Sequence, residues 1–497
     1  MSRAADVPTS YDELPYTSFP YPQTHPRHLN AIAQLFGLSP APVHNCRVLE
    51  LGCAGGGNLI PIASEYGESQ CVGIDASKRQ IEEANELKDA LGLENVELLH
   101  QDIAEFDWDG SPFDYILCHG VYSWVPSRTQ TQLLSLCRDH LAENGVAFFS
   151  YNTYPGWFLR RGVREMMGFH AAGFSETQTK IDQSRALVDF LAGAVRTDDA
   201  YGQLLHEELG ILRSSEDSYV FHEHLEQHNE PLFFYEFVQR AEESGLRYLA
   251  DAQFSTMIPS EFSDSTQQTL RSIAPGIIQM EQYLDFLRNR KFRQSLLCRS
   301  EVEPDRSIAP RRLERLFVSG PLSEIDPTAE SDWSFEHANG QHIRVSDRGS
   351  AEVFRRLSLA WPGSIAFGEL REISGDDIEM VGQSILELFA QGLVTLTSDP
   401  ISCRTDVGET PQSSALVRSQ IRRGDFATNQ RHERVPLDEF DKAVLQELDG
   451  INDLARIVDR VSEKASNQDG SPLDRDQLQS AIHAVIERFA QVALLTK

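Results

Sequence analysis

The chain contains 497 residues, which is too long for one hydrophobic core and predicts about three domains. Asp and Glu outnumber Lys and Arg by 75 to 45, and the formal charge of −30 disfavours a nucleic-acid binder, which needs cations against phosphate. The seven cysteines are scattered without a CxxC pair, so we expect neither a zinc site nor a disulfide framework. No basic N-terminus precedes an apolar run and no window of ~18 apolar residues occurs, so we expect a cytoplasmic protein without a signal peptide or membrane span.

Short apolar runs alternate with amphipathic stretches in the first predicted domain, residues 1–172. The apolar runs predict strands at residues 47–51, 70–74, 96–100, 113–118 and 145–150. The stretches between them predict helices at residues 58–66, 77–91 and 129–141. Alternation at this spacing is typical of a parallel, doubly wound sheet, so we predict an α/β fold of the Rossmann-like type.

The second predicted domain, residues 173–303, lacks strand signals. Residues 232–249 and 280–297 have the period of amphipathic helices, and Gly245 lies within the first of these stretches. We therefore predict a helical middle domain, and we expect any homodimer contact to form through it.

A turn signal marks the third predicted domain, residues 304–400. Asn339-Gly340 is typical of a hairpin turn, and helical stretches at 352–361 and 377–391 follow it, which together favour a winged-helix-like module. No Lys or Arg lies between Arg371 and Arg404, so protein contact is favoured over DNA contact here. The last predicted segment, residues 401–497, is interpreted as a polar linker over 401–436 followed by a helical module.

The glycine-rich loop after the first predicted strand indicates a nucleotide-type ligand. Gly52 begins the loop, Ala54 replaces the second glycine of a G-x-G-x-x-G frame, and Asp75 ends the second strand, where a carboxylate accepts hydrogen bonds from ribose hydroxyls. Glu50 would repel a pyrophosphate, which disfavours NAD, whereas it suits the ammonium and sulfonium of S-adenosylmethionine (AdoMet). The open alternative is that Glu50 points to solvent. The candidate cofactor residues of this region are Glu50, Gly52, Cys53, Ala54, Gly55, Asn58, Asp75 and Ala76.

Two further strand ends complete the predicted cofactor site. Asp102 after the third strand could bind the adenine amino group with Ile103 against the ring, although Asp102 could instead cap a helix. His119, Gly120 and Val121 follow the fourth strand, close to the expected methyl group. His119 is also the nearest candidate for a general base, with a histidine satisfied by the backbone as the alternative.

Aromatic segments follow the fourth and fifth strands, at residues 119–126 and 150–157. Aromatic faces can hold a sulfonium or a cationic amine, so both segments are predicted to line the acceptor pocket, with a packed loop as the alternative. The candidate catalytic residues are Tyr122, Trp124, Asn152 and Tyr154, and Tyr151 and Trp157 are further pocket candidates. The order of residues after strand five differs from the Asn-Pro-Pro-Tyr motif of amino-group DNA methyltransferases, which disfavours a nucleic-acid acceptor.

Three histidines in the middle domain could suggest a metal site. His224 and His228 have i,i+4 spacing, with His222 nearby, but Pro231 ends any helix soon after and the order H-E-x-x-H is absent. We therefore predict no metal ligands here.

Several segments resemble a known family of bacterial enzymes. The segments are residues 11–16, 24–26, 46–54, 56–61, 119–126, 150–157, 221–249, 282–287 and 292–294. They are similar to bacterial class I AdoMet-dependent methyltransferases that carry a methyltransferase regulatory domain, among them the rickettsial protein lysine methyltransferases. The resemblance implies AdoMet dependence, a helical middle domain, winged-helix-like C-terminal modules and a place near the cofactor for Tyr16 and His25. It implies protein lysine as the acceptor, while a small metabolite acceptor, or AdoMet binding without turnover, stays an alternative.

Overall fold

The strands of the predicted first domain form where the apolar runs lie. The computed structural model describes residues 10–326, 332–374, 378–464 and 474–496. The strands are β1 (Arg47–Leu51), β2 (Gln70–Asp75), β3 (Val96–His100), β4 (Phe113–Cys118) and β5 (Leu141–Asn152). The helices are α1 (Ser10–Glu13), α2 (Pro26–Leu35), α3 (Leu59–Glu65), α4 (Lys78–Leu91) and α5 (Ser127–His140). All five strands pair in parallel in the order β3-β2-β1-β4-β5, which confirms the predicted doubly wound sheet.

A group of helices follows β5. Its members are α6 (Gly156–Ala171), α7 (Thr177–Ala194), α8 (Ala200–Ser214) and α9 (Asp217–Val220), and a π-helical turn (Phe221–Leu225) continues α9. Val163, Ile181, Val188 and Leu205 form part of a small hydrophobic core of their own. The predicted helical character of the middle region is confirmed by these elements.

Two strands that the sequence pattern did not predict complete the central sheet. The elements here are α10 (Phe234–Glu243), β6 (Leu246–Asp251), α11 (Asp264–Ile273), α12 (Ile277–Arg288) and β7 (Phe292–Arg299). β7 pairs antiparallel with β5, and β6 pairs antiparallel with β7. The helices predicted over 232–249 and 280–297 are therefore wrong in their second halves. Gly245 and Asn289 end α10 and α12 in the left-handed region, at φ of 78° and 49°, and the apolar residues beyond them enter the sheet.

The region after the central sheet contains short strands and three helices. The strands are β8 (Phe317–Ser319), β9 (Leu322–Glu324), β10 (Trp333–His337), β11 (His342–Val345), β12 (Ile365–Ala366) and β13 (Thr395–Thr397), and the helices are α13 (Arg348–Ala360), α14 (Phe367–Ser374) and α15 (Ile378–Ala390). The sheets have the orders β11-β10-β9 and β12-β8-β13. The Asn339-Gly340 turn joins β10 to β11 as predicted, with Gly340 at φ 86°.

The C-terminal part folds as a separate module with its own core. Its elements are α16 (Ala415–Gln420), β14 (Phe426–Thr428), β15 (Arg434–Pro436), α17 (Glu439–Leu445), α18 (Leu454–Lys464) and α19 (Arg475–Gln491). Val417, Ile421 and Ala427 are buried against Val444 and Ile486. The linker predicted over 401–436 is therefore wrong, because its few apolar residues are anchors in this core and its polar residues form the β14–β15 hairpin.

Short 3₁₀ turns connect several elements, at Pro22–Thr24, Val43–Asn45, Ile103–Glu105, Tyr122–Trp124, Phe254–Met257 and Pro310–Leu313. Across the described residues, every helix is too short or too polar to cross a lipid bilayer.

Candidate functional site

The glycine loop between β1 and α3 is shaped by contacts that exclude a side chain. Gly52 adopts φ 76°, and a Cβ at this position would lie 2.4 Å from Val121 Cγ2. A Cβ at Gly57 would lie 2.3 Å from the Ser18 carbonyl oxygen, and the Gly57 amide donates to Ser18 Oγ at 2.8 Å. The loop is therefore closed on one side by Val121, from the segment that follows β4, and on the other by the N-terminal segment, residues 16–25.

Glu50 lies at the base of this loop and faces inward. Its side chain is only 4% exposed, and its Oε1 accepts a 2.7 Å hydrogen bond from Asn58 Nδ2. Its Oε2 has no hydrogen-bond partner among the described residues. Burial raises the pKa of Glu50 to about 8. The alternative that Glu50 points to solvent is thus excluded, and a buried oxygen without a donor fits the ammonium group of AdoMet.

Asp75 ends β2 beside the same loop. Its Oδ2 accepts from the Ala54 amide at 2.9 Å, and its Oδ1 accepts from the Ser77 amide at 2.8 Å. Burial raises the pKa of this carboxyl against the effect of those two bonds. A carboxylate has about four acceptor sites, so two remain for the hydroxyls of a ribose. Ala76, the next residue, is exposed.

Asp102 and Ile103 lie at the end of β3. Asp102 is exposed, and its Oδ1 accepts from the Ala104 amide at 2.8 Å, which caps the turn Ile103–Glu105. Ile103 is half-buried against the core beneath the sheet. The Asp102 side chain therefore caps this turn, which was the alternative interpretation. A role for Asp102 in binding adenine stays a prediction.

His119 is held by a side chain and not by the backbone. Its Nδ1 lies within hydrogen-bond distance, 2.7 Å, of Ser150 Oγ, and the Gly120 amide donates to the same hydroxyl oxygen at 2.8 Å. The ring packs edge-on against Tyr21, with centroids 4.0 Å apart. Burial lowers the pKa of His119 to about 4, so the ring is neutral at pH 7 and is a weak base.

Two of the predicted pocket aromatics belong to the hydrophobic core instead. Tyr122 is fully buried and packs edge-on against Phe149 and Phe237, at centroid distances of 5.7 and 5.3 Å. Tyr151 is 1% exposed and stacks on Phe237 at 4.2 Å in the same core. The predictions of a catalytic Tyr122 and of Tyr151 as a pocket residue are therefore wrong, because both rings pack against Phe237 of α10. Trp157 is also 1% exposed, but its ring lies 6.4 Å from that of Trp124, and its role in the pocket stays a prediction.

Of the other predicted acceptor residues, Trp124 and Tyr154 are half-buried and Asn152 is buried, and the three do not form one cluster. Trp124 is half-buried, with the Arg164 guanidinium 5.7 Å from its ring. Asn152 Nδ2 donates to Asn229 Oδ1 at 3.2 Å, and the Asn152 amide donates to Ser123 Oγ at 2.8 Å. Tyr154 stacks on Phe158 at 4.1 Å. Trp124 and Asn152 thus share a wall near Ser123, whereas Tyr154 belongs to a separate aromatic surface.

The N-terminal segment covers the cofactor loop. Gln80 Nε2 donates to the Tyr16 carbonyl oxygen at 2.9 Å, which fixes the segment over α4. The Tyr21 amide and Thr24 Oγ1 both donate to Asn58 Oδ1 at 3.0 Å. His25 is buried and lies 3.3 Å from Glu65 through its Nε2. Tyr16 therefore lies on the cover of the loop, whereas His25 is one layer further out.

The C-terminal module also reaches this loop, which the sequence did not indicate. His432 Nε2 donates to Asn58 Oδ1 at 2.8 Å, and its ring packs against His25 with centroids 4.9 Å apart. Arg27 Nη2 donates to the Gln430 carbonyl oxygen at 2.8 Å. His432 has φ 60°, which is unusual for a residue with a Cβ and is the one local sign that its placement matters.

We expect Gly57→Ala to weaken AdoMet binding about tenfold. Its Cβ would collide with the Ser18 backbone, which must move away and take the covering segment with it, at a cost of about 1–3 kcal/mol. Isothermal titration calorimetry measures the affinity. Gly67→Ala is the matched control, because a Cβ there meets nothing within 4 Å. Equal affinity of both variants for AdoMet would contradict the covering role of residues 16–25.

We expect His432→Ala to lower AdoMet affinity about fivefold. The change removes a buried donor to Asn58 Oδ1, and a hydrogen bond contributes about 1 kcal/mol. The Asn58 amide, which also donates to Glu50, is then less well oriented. Calorimetry checks the affinity, and a thermal melt checks the fold. His483→Ala on the exposed side of α19 should change neither, and a wild-type affinity in His432→Ala would show that the module only contacts the loop passively.

Three family models match the chain. The model described as "Methyltransferase domain" matches residues 48–145, and that described as "Predicted methyltransferase regulatory domain" matches residues 216–299. The model described as "PKMT, C-terminal winged helix domain" matches residues 409–494. The first match contains β2, β3 and β4 with most of β1 and the start of β5, the second contains β6 and β7, and the third coincides with the C-terminal module.

Whole-chain similarity extends to rickettsial proteins. The uncharacterized protein RP789 of Rickettsia prowazekii is 33% identical over 518 aligned residues, which cover 98% of this chain and 93% of that protein. RP028 of the same organism is 39% identical over 241 residues, 48% of this chain and 96% of its own. The structure of PKMT2 from Rickettsia typhi superposes with a TM-score of 0.87 at 28% identity, over 97% of this chain and 100% of that chain. A second structure of PKMT2 contains AdoHcy, the product form of AdoMet, and matches equally well.

Proposed function

The chain belongs to the family of bacterial class I methyltransferases that carry a methyltransferase regulatory domain and a PKMT-type winged helix domain, and from that premise we propose that it methylates lysine side chains of proteins. Its methyl donor is AdoMet. The observation that carries the choice of acceptor is the match to PKMT2 over 97% of this chain, which includes the helical region and both C-terminal modules.

The cofactor contacts in this proposal follow from the polar groups around the glycine loop. Glu50 Oε2 would receive the ammonium group of AdoMet, since it is buried without a donor. Asp75 would receive the ribose hydroxyls, and Ile103 would lie against the adenine ring. Gly52, Ala54 and Gly55 would let the backbone approach the ligand. Cys53 and Val121 support the loop from behind. Cys53 Sγ fills the space beside Gly73, and the Val121 side chain fills the space beside Gly52.

AdoMet supplies a methyl group on a positively charged sulfur, and the protein supplies orientation and a poorly hydrated site. A lysine must lose its proton before its nitrogen can attack the methyl carbon. Enclosure of the lysine by the cover of the loop and by the wall that contains Trp124 would lower the lysine pKa, because burial disfavours a charged ammonium. Asn152 would accept or donate a hydrogen bond at the acceptor nitrogen through its side-chain amide, which also donates to Asn229 Oδ1.

Incubation with tritiated AdoMet and a bacterial lysate tests the proposal. We expect label in protein bands, and acid hydrolysis should release it as methylated lysine. Label confined to the small-molecule fraction would instead support a metabolite acceptor. No label from a protein that binds AdoMet in calorimetry would support binding without turnover. Asp75→Ala protein is the negative control for turnover.

A further inference from the structure

The π-helical turn Phe221–Leu225 presents one carboxylate that the proposed cofactor contacts do not use. Its two histidines, His222 and His224, are 3% and 2% exposed, whereas Glu223 between them is only half-buried. Of these three neighbouring side chains, Glu223 alone keeps partial exposure. π-helical turns are rare, and they occur often at functional sites.

The two neighbouring arginines are already engaged by other groups. Arg160 lies 3.4 Å from the Glu208 carboxylate and donates to the Tyr219 hydroxyl at 2.7 Å. Arg164 Nη1 donates to the backbone carbonyl oxygen of Glu223 at 2.9 Å, not to its side chain. The Glu223 carboxylate thus forms no ion pair within the described part of the chain, although both cations influence it.

The π-helical turn that carries Glu223 contacts the N-terminal segment that leads into the cover of the cofactor loop. His222 Nε2 donates to the Leu14 carbonyl oxygen at 2.7 Å, and its ring stacks on Tyr11 at 4.3 Å and lies 5.9 Å from Tyr16. Burial and then the charge of Glu50 raise the pKa of Tyr21 to about 12, with a further contribution from Glu223. The Tyr21 phenol therefore interacts electrostatically with both carboxylates, the one at the base of the cofactor loop and the one on the π-helical turn.

We infer that the Glu223 carboxylate binds the ammonium group of the methyl acceptor and takes its proton, so that the site selects amines over neutral or acidic acceptors. This inference rests on the proposed function and names the residue that receives the acceptor. In the step, the acceptor N–H bond breaks and a Glu223 O–H bond forms. The freed nitrogen lone pair then forms the new N–C bond, while the electron pair of the methyl C–S bond stays with sulfur.

The groups around Glu223 are compatible with both tasks. Arg160 and Arg164 from α6 and His222 on the same turn lower its pKa, but burial raises it more, so the net shift is upward. Tyr11, Tyr16, Tyr21 and Tyr219 are close enough to interact with it electrostatically and are neutral phenols, since burial raises the pKa of each. A carboxylate with a raised pKa accepts a proton from an amine more readily than an exposed one. The tyrosine faces also suit a cation.

Glu223→Gln tests the inference in the full-length protein. We expect the variant to label lysate protein from tritiated AdoMet at least a hundredfold more slowly, while its AdoMet dissociation constant stays within twofold of wild type. Glu223→Asp should recover part of the rate because it restores the charge. Glu207→Gln, an exposed residue of α8, should label at the wild-type rate. With the wild-type enzyme, n-butylammonium should compete with the protein acceptor, whereas n-butanol should not.

Two outcomes would overturn the inference. Wild-type labelling by Glu223→Gln would show that the carboxylate does not serve the acceptor. A parallel loss of AdoMet affinity would place it at the cofactor ammonium instead. Both results are separable from a failure of the proposed function, which appears in the wild-type hydrolysate as label outside methylated lysine.

Discussion

Asp75→Ala should lower AdoMet affinity by at least a hundredfold while the sheet stays folded. The carboxylate is fixed at the end of β2 by the Ala54 and Ser77 amides, so it is oriented before any ligand arrives. Hydrogen bonds from two ribose hydroxyls to a carboxylate contribute about 1.5–3 kcal/mol each, and the loss of both corresponds to roughly a hundredfold or more. Calorimetry measures the affinity, and circular dichroism measures the fold.

The matched control is Asp89→Ala, which removes an exposed carboxylate from α4 without touching the loop. Asp75→Asn is a second variant that keeps one amide contact and most of the side-chain volume. We expect it to bind AdoMet weakly as well. Wild-type affinity in either Asp75 variant would remove this residue from the cofactor site.

Glu50 should make AdoMet binding release a proton near pH 7. In the unliganded protein its pKa is raised to about 8 by burial, so the side chain is mostly protonated at pH 7. The ammonium of AdoMet favours the carboxylate, and binding therefore expels the proton. Calorimetry in two buffers with different ionisation enthalpies should give a release approaching one proton for wild type. Glu50→Gln should release none and bind at least tenfold more weakly.

The same shift sets a direction for stability. The folded pKa of Glu50 lies above the ordinary carboxyl value, so the unliganded protein loses stability as pH rises from about 4.5 to about 8. Glu50→Gln should lack this component in thermal melts across that range, and Glu97→Gln, on an exposed position of β3, should retain it. If wild type and Glu50→Gln released the same number of protons on binding AdoMet, the proton would come from another group.

Local sequence predicted the parts of the site that depend on local structure. The strands β1 to β5 each combine an apolar run with a following turn, so the carboxyl ends that carry Glu50, Asp75 and His119 could be placed from spacing alone. The orientation of Tyr122 could not be predicted in this way, because an aromatic residue in a turn can face a pocket or the core. Its packing against Phe237 from α10 decides the orientation. The apolar residues in 246–251 keep the helical period of the preceding residues, which predicted one long helix. In the structure Gly245 ends the helix before them.

Long-range contacts carried no signal that one sequence could reveal. Asn58 Oδ1 meets Thr24 from the N-terminal segment and His432 from the C-terminal module, and neither neighbour shares a motif with the glycine loop. The 401–436 segment has few apolar residues, so its composition indicated a linker. In the fold those few residues anchor the β14–β15 hairpin, and the hairpin turn holds His432 against the loop.

The pairing of β7 with β5 has a consequence for the nascent chain. β5 ends at Asn152 and its partner begins only at Phe292, so every helix between them must leave the ribosome before that edge of the sheet is covered. Until then the backbone of β5, whose Phe148 and Phe149 are buried in the finished protein, presents open hydrogen-bonding groups to other chains. Chains that end at residue 153 should therefore aggregate or bind chaperones. Chains that extend past Arg299 should instead become resistant to protease across the whole sheet at once.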